Sequence, residues 1–519
     1  MKYHVVDSTE WLYPDKTDYE TSSNKFYQFC ARNGMACGQI FIYGAGKKIS
    51  VSVNGFDAEI YEEIAIPVEK NIGFDRNNRN KFFPSRLAPF YVYDCLKPCG
   101  GIAETENGVC ALYICIKSES VKGVGKFYGT ITLESDGERI EIPAAVKVYD
   151  FTVPKESLKV VMGCYFDTAA RFHNVTVGSE EYERLRIEYF KLLRRMRQNM
   201  IYIDGVKVSK NDSGKYDFDF TVLENRTKEA LGLGFEYFAM TGVGFRRSWK
   251  ASTIKICLTD MDALSPEGKD FLSQYIPAFR DFLKEKGWLD RFCLGVADEP
   301  NDENALEYKE LCNIIRSMAP EIKLMEALSY NSKLHGALDM WIPLNKSYQE
   351  NKGQFDIYRE DGSEIWQYVC CGPRGDAYMN RFMDYPLICS RYQFWGNYKY
   401  DLSGYLHWAA LCYQPGQDPY VQSCPHHVNA DSESTLPAGD THLVYPGDGM
   451  PYMSLRLEAH REGLEDYEIL NYIGKKNRDK ADSLCNTCFK SFNKVEYDMN
   501  KFREARIRLY KAAEEMGVN

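Results

Sequence analysis

Arg291–Pro300 reads RFCLGVADEP, an apolar run that stops abruptly in two carboxylates and a proline. A short apolar run with such an end is the pattern of a buried strand reaching the rim of a sheet. Similar runs recur on both sides of it. Upstream lie LKVVMGCYFD (Leu158–Asp167), MIYIDG (Met200–Gly205) and FEYFAMTGVG (Phe235–Gly244). Downstream lie KLMEAL (Lys323–Leu328), LDMWIPL (Leu338–Leu344), EIWQYVCCGP (Glu364–Pro373) and SGYLHWAALCY (Ser403–Tyr413). Helical stretches at Glu180–Arg197, Pro266–Lys286 and near Glu303–Met318 alternate with them. Eight strands alternating with helices or connections predict a (β/α)8 barrel of the TIM type. The helices after the second, third and fifth strands are weak.

Outside this block the rhythm changes. Residues 1–153 carry β-branched and aromatic runs bounded by turn residues, such as QIFIYGAGKKISVSVNG (Gln39–Gly55) and GKFYGTITLES (Gly125–Ser135). Short strands at this spacing predict an antiparallel β-sandwich. Residues 454–519 read as helical and are expected to pack on the barrel. The predicted organisation is therefore a sandwich (1–153), a catalytic barrel (154–453) and a C-terminal helical region (454–519).

Lys and Arg number 64 against 74 Asp and Glu, a net charge of −10, which argues against nucleic acid as a partner because phosphate contacts need basic patches. No stretch approaches the roughly 18–20 apolar residues of a membrane span, so no membrane insertion is expected. The start, MKYHVVDSTEWLYPD, has no apolar signal region, and 17 cysteines, an odd number, fit a reducing compartment. The expected location is cytoplasmic. Aromatic residues make up 14% of the chain, a mild lean toward sugar stacking.

Motifs for other chemistries fail. GAGKK (Gly44–Lys48) lacks phosphate-loop spacing, and Cys485-Asn-Thr-Cys488 has no second pair for zinc, so no metal and no cofactor is expected. Cys370 and Cys371 read as core thiols. The Asp298-Glu299 pair remains. Emerging from a buried strand, these carboxyls meet a low dielectric, where one acid can stay protonated near neutrality. Paired carboxyls are the tools of glycosidic cleavage, but neighbours on a strand point to opposite faces and cannot flank one bond unless the chain turns. The competing reading is that both merely cap the next helix. The pattern alone supports either. Trp341, Trp366 and Trp408 lie in successive or nearby barrel strands and are core by default, with one or more of them free to line the mouth.

The chain resembles glycoside hydrolase family 123 and the wider catalytic-domain family around it, once labelled domain of unknown function 4091. LGVADEP (Leu294–Pro300), EIWQYVCCGP, ICSRYQFWGNYKYDLSGYLHWA (Ile388–Ala409), GDTHLVYPGDG (Gly439–Gly449) and SLRLEAHREGLEDYEIL (Ser454–Leu470) carry the likeness, from about residue 160 to 475. The resemblance implies a β-N-acetylgalactosaminidase that retains configuration by substrate assistance, the 2-acetamido group attacking the anomeric carbon to give an oxazoline. It also implies Glu299 as acid/base and Asp298 as the carboxylate that orients the acetamido group. The expected partner is a glycan or glycoconjugate substrate. From strand position, Tyr368, Trp408 and Asp440 are expected to bind the sugar, while His407 points away from Trp408 and stays outside the site. The charge cluster Arg456–Asp466 reads as a salt-bridged helix. Two further readings are a glycosidase for a sugar without an acetamido group, and a carbohydrate-binding protein on the same fold.

Overall fold

The computed structural model describes residues 1–74, 84–428 and 432–518. At its centre, parallel strands Lys159–Cys164, Met200–Tyr202, Tyr237–Met240, Phe292–Gly295, Lys323–Ala327 and Met340–Ile342 lie side by side in chain order. The next segment splits around Trp366. Glu364–Ile365 pairs with Met340–Ile342, and Gln367–Tyr368 pairs with Gly404–Leu411, which in turn pairs with Lys159–Cys164. The nine-stranded sheet therefore curls into a nearly closed barrel, and every strand read from the sequence lies in it. Its interior is filled by a cluster that includes Val161, Met200, Ala239, Cys293, Met340 and Trp366. Gly404 is required there: a Cβ at this position would fall 2.1 Å from the Trp366 ring.

The weak connections have distinct causes. After the second strand a hairpin, Lys207–Lys210 with Tyr216–Asp219, precedes the helix Thr221–Gly232. After the third a two-residue ribbon, Gly244–Phe245 with Lys255–Ile256, precedes the helix Pro266–Lys286. The fifth strand is followed only by the short 3-10 turn Ser332–Leu334.

The N-terminal region forms a five-stranded sheet and five strands of a seven-stranded one, the other two being Val444–Pro446 and Pro451–Ser454; the facing sides share a core including Ile40, Ile42, Ile114, Ile131, Leu133 and Val146. Pairing is antiparallel except that Glu138–Val148 runs parallel to Phe26–Cys30. Pro451–Ser454, leaving the barrel, hydrogen-bonds to Phe90–Pro98 and so completes the larger sheet.

The C-terminal helix Leu455–Lys476 does not simply lean on the barrel. It is buried from Leu455 to Leu470, with Asp94 of the N-terminal sheet and Arg195 of the barrel helix Glu180–Arg195 both salt-bridged to it. It crosses the barrel helix Ile388–Lys399 closely, because Gly463 has no side chain to meet the Arg391 carbonyl; a Cβ would lie 2.5 Å from that oxygen. The charged residues read from sequence as a salt-bridged helix are thus the joint between sandwich and barrel. Among the described residues no helix is long and apolar enough to cross a membrane.

Candidate active site at the barrel mouth

The strand Phe292–Gly295 ends one turn before the carboxylates, and Val296 and Ala297 continue as irregular, buried chain. Glu326, on the neighbouring strand, takes over their hydrogen bonding: its Oε2 accepts from Val296 N at 3.2 Å, Ala297 N at 3.0 Å and the Tyr308 hydroxyl at 3.2 Å. Glu299 then adopts a φ of 42°, the left-handed region that a non-glycine residue enters at a cost. Such strain persists where the surroundings over-determine it, and it clusters at functional sites. Here the turn removes the strand alternation that would otherwise keep Asp298 and Glu299 on opposite faces.

A second clamp acts from the loop after the third strand. Arg246 Nη2 donates to the carbonyls of Asp298 and Glu299, the latter at 3.0 Å, and Nη1 donates to the Trp249 carbonyl at 2.9 Å. The Tyr368 hydroxyl donates to Glu299 Oε1 at 2.7 Å. Tyr368 is buried, projects into the barrel interior and reaches the acid from the seventh strand segment.

Electrostatics follow from this enclosure. Asp298 is open to water, yet lies in a concavity crowded by protein groups. Loss of surrounding water raises its carboxyl, and Arg246 opposes the rise. Glu299 is raised by burial and further by the Asp298 charge, against the Tyr368 hydrogen bond and Arg246. The like charge makes Glu299 the better candidate to hold a proton. Beneath them, burial and then Asp298 push Glu326 up to about 8.

On the facing side of the mouth, Trp408 is half-buried and its Nε1 donates to Asp440 Oδ2 at 3.1 Å. Asp440 is fully buried; burial pushes it up to about 7, opposed by Arg381 and the Trp408 N–H. Arg381 donates to the backbone carbonyls of Ala409 and Asp440, the latter at 2.9 Å. Tyr368 and Trp408 are joined through paired strands, so the structure brings all five expected residues to one end of the barrel. Trp341 and Trp366 are core.

Alternation would put His407 and Trp408 on opposite faces, but the strand is irregular after His407, and the two rings stack 6.2 Å apart with both reaching Asp440. His407 Nδ1 accepts the Ala409 N–H at 3.0 Å, so the neutral ring carries its proton on Nε2, 3.2 Å from Asp440 Oδ1. Cys370 and Cys371 are half-buried at the rim, with their thiols in contact, rather than core. The strand ends before them, at Tyr368, and the chain turns at the Gly372-Pro373 cis bond. Sequence reading also missed Arg246, Trp249 and Glu326. The one acidic residue in KLMEAL was the available signal for Glu326, and the cation–aromatic cluster FRRSW for the other two.

The family model described as Glycoside hydrolase 123, catalytic domain, matches residues 164–473. A solved family 123 glycoside hydrolase from Clostridium perfringens, described for its glycolipid glycan hydrolysis, is 14% identical with a TM-score of 0.75, covering 99% of this chain and 98% of that one. That likeness extends over both chains and is one of fold. A GH10 xylanase with a bacterial Ig-like domain from termite gut (10% identity, 71% of this chain and 91% of that chain, TM-score 0.35) and a Parabacteroides merdae β-glucuronidase (11%, 85% and 51%, 0.32) are too distant to bear on the fold. No curated protein matches the chain.

Proposed function

Because the chain belongs to glycoside hydrolase family 123, and is a glycosidase, we propose that Asp298 and Glu299 release a terminal β-linked N-acetylgalactosamine by substrate-assisted catalysis with retained configuration. The observation that carries this reading is the left-handed Glu299, where the chain turns so that two consecutive carboxyls can reach one ligand. Two carboxyls so placed suit a substrate that brings its own nucleophile.

In the first step Glu299 gives its proton to the glycosidic oxygen as the bond to the anomeric carbon breaks. The acetamido carbonyl oxygen forms a bond to that carbon, closing an oxazolinium ring that keeps its N–H proton. Asp298 orients the amide and stabilises the positive charge that develops on the ring. In the second step Glu299, now a carboxylate, takes a proton from water; the water oxygen bonds to the anomeric carbon and the oxazolinium ring reopens. Tyr368 holds Glu299 in place throughout. Trp408 offers a flat face to the sugar, and Asp440 acts on the sugar through it, holding the indole N–H from a fully buried position. The fold carrying this site is read as a (β/α)8 barrel whose seventh strand is split by Trp366, with 154–453 as the catalytic unit and 1–153 and 454–519 as its supports. The odd cysteine count supports action in the cytoplasm. Glycans of the glycolipid type, the substrate class of the Clostridium relative, are the first to try.

The test is a panel of aryl glycosides that differ at C2. The acetamido sugar should be cleaved, its 2-hydroxyl counterpart should be almost inert, and a thiazoline mimic of the intermediate should inhibit strongly. A covalent adduct trapped on any carboxylate with a 2-fluoro sugar would overturn the mechanism. Binding of the sugar without turnover would instead favour the carbohydrate-binding reading.

A further inference from the structure

We propose that Trp249 is the stacking surface for the leaving group, the sugar on the far side of the scissile bond. The inference rests on Asp298 and Glu299 being the catalytic pair. Trp249 lies in the loop between the ribbon strands Gly244–Phe245 and Lys255–Ile256, above the third barrel strand. The residue is 48% exposed. The backbone beneath the ring is nevertheless fixed. The Trp249 carbonyl accepts from Arg246 at 2.9 Å and from Asn301 Nδ2 at 2.7 Å. Both donors belong to the mouth: Asn301 lies two residues after Glu299, and Arg246 holds the carbonyls of both carboxylate residues.

The Arg246 guanidinium carbon also lies 5.1 Å from the centre of the indole ring, so one cation packs against the ring and the turn that carries the acid. A tryptophan held in register with a proton donor, and about half exposed, can present a face to a bound glycan. The class of ligand follows from position. The opposite wall, with buried Tyr368, buried Asp440 and half-buried Trp408, is enclosed and suits the terminal sugar. Trp249 is the more exposed aromatic, so the remainder of a glycan is placed on its side. The apolar face of a pyranose stacks on an indole, while its hydroxyls stay in water. Trp249 then selects for oligosaccharide over simple leaving groups.

Trp249→Ala and Trp249→Phe separate this role from a structural one. Each is assayed on an acetamido-sugar-capped trisaccharide and on the corresponding glycosyl fluoride, whose single-atom leaving group cannot stack. Removing an aromatic contact of this kind corresponds to a roughly tenfold change. Trp249→Ala should therefore lower kcat/KM at least about tenfold more for the trisaccharide than for the fluoride, mainly through KM. Trp249→Phe should recover most of that difference, and the thermal midpoint should hold. Equal losses on both substrates, or no loss on the trisaccharide, would overturn the stacking role while leaving the catalytic pair intact. A wild-type chain inert on both substrates would overturn the catalytic reading, and this inference with it.

Discussion

Glu458 on the central helix and Glu326 beneath the barrel mouth are both carboxyls enclosed by protein, and burial pushes both upward. At Glu458 the guanidinia of Arg195 and Arg461 overcome that push and hold it at about 2; at Glu326 the nearby Asp298 charge adds to burial and the group rises to about 8. The same contrast runs through each region. Along the helix, Arg456 meets Asp94 at 2.8 Å, Arg461 meets Glu465 at 2.8 Å, and Arg391 meets Asp466 at 2.8 Å and Glu462 at 2.7 Å. At the mouth the nearest cation, Arg246, has its hydrogen bonds on backbone carbonyls. Buried charge that is paired fixes the relation between two layers; buried carboxyl with no cation on it keeps an adjustable proton.

The largest effect that tests this contrast is at the acid. Glu299→Gln should lower kcat/KM by about 10²–10⁴-fold on glycosides with poor leaving groups, and less on activated aryl glycosides, with no loss of fold. Retained activity on an unactivated glycoside would remove Glu299 from the mechanism. The helix should respond in the opposite sense. Asp466→Ala leaves the Arg391 guanidinium and the Trp395 N–H short of a partner and should cost roughly 3–5 kcal/mol in urea unfolding, while the folded enzyme keeps its kcat. If turnover falls and stability does not, the two regions are not separable in this way.

Asp298→Asn keeps the shape and removes the charge, so turnover should drop by about 10²–10³-fold with KM little changed. Trp408→Ala should raise KM by about tenfold, the scale of one lost aromatic contact, without melting the barrel. A collapse of the thermal midpoint would make Trp408 structural. The smallest effect is a slope with pH. Glu326 binds its proton more tightly in the folded chain than in the unfolded one, where the ordinary value is 4.5. The stability it contributes is complete below about 4.5 and is lost as pH rises through about 8. Glu326→Gln should flatten that decline in a series of unfolding measurements. Glu458 has the opposite sign, its contribution being present above 4.5 and lost as pH falls through about 2.

RFCLGVADEP and its counterparts were legible because a barrel strand writes its burial locally, as a short apolar run with a polar end, and the chain repeats it. Asp298 and Glu299 were legible for the same reason: they mark the point where burial stops. Tyr368 and Trp408 were found by counting along strands from that pattern. Glu326, Arg246 and Trp249 were not. A single charge in a strand or a basic aromatic loop has no period, and its meaning depends on which backbone it meets. The helix Leu455–Lys476 was legible as a helix and as a charge cluster, but not as the joint between layers, since Asp94 and Arg195 approach it from far away in the chain. The sequence by itself determined the barrel strands, the all-β character of the first region and the position of the carboxylate pair, because each is set by the period of burial along a few residues. Only the tertiary structure decided that Glu299 turns left-handed, that Asp440 lies between Trp408 and His407, and which buried carboxyls find a cation. Those depend on close approach and on electrostatic fields across a low dielectric, which have no local signature.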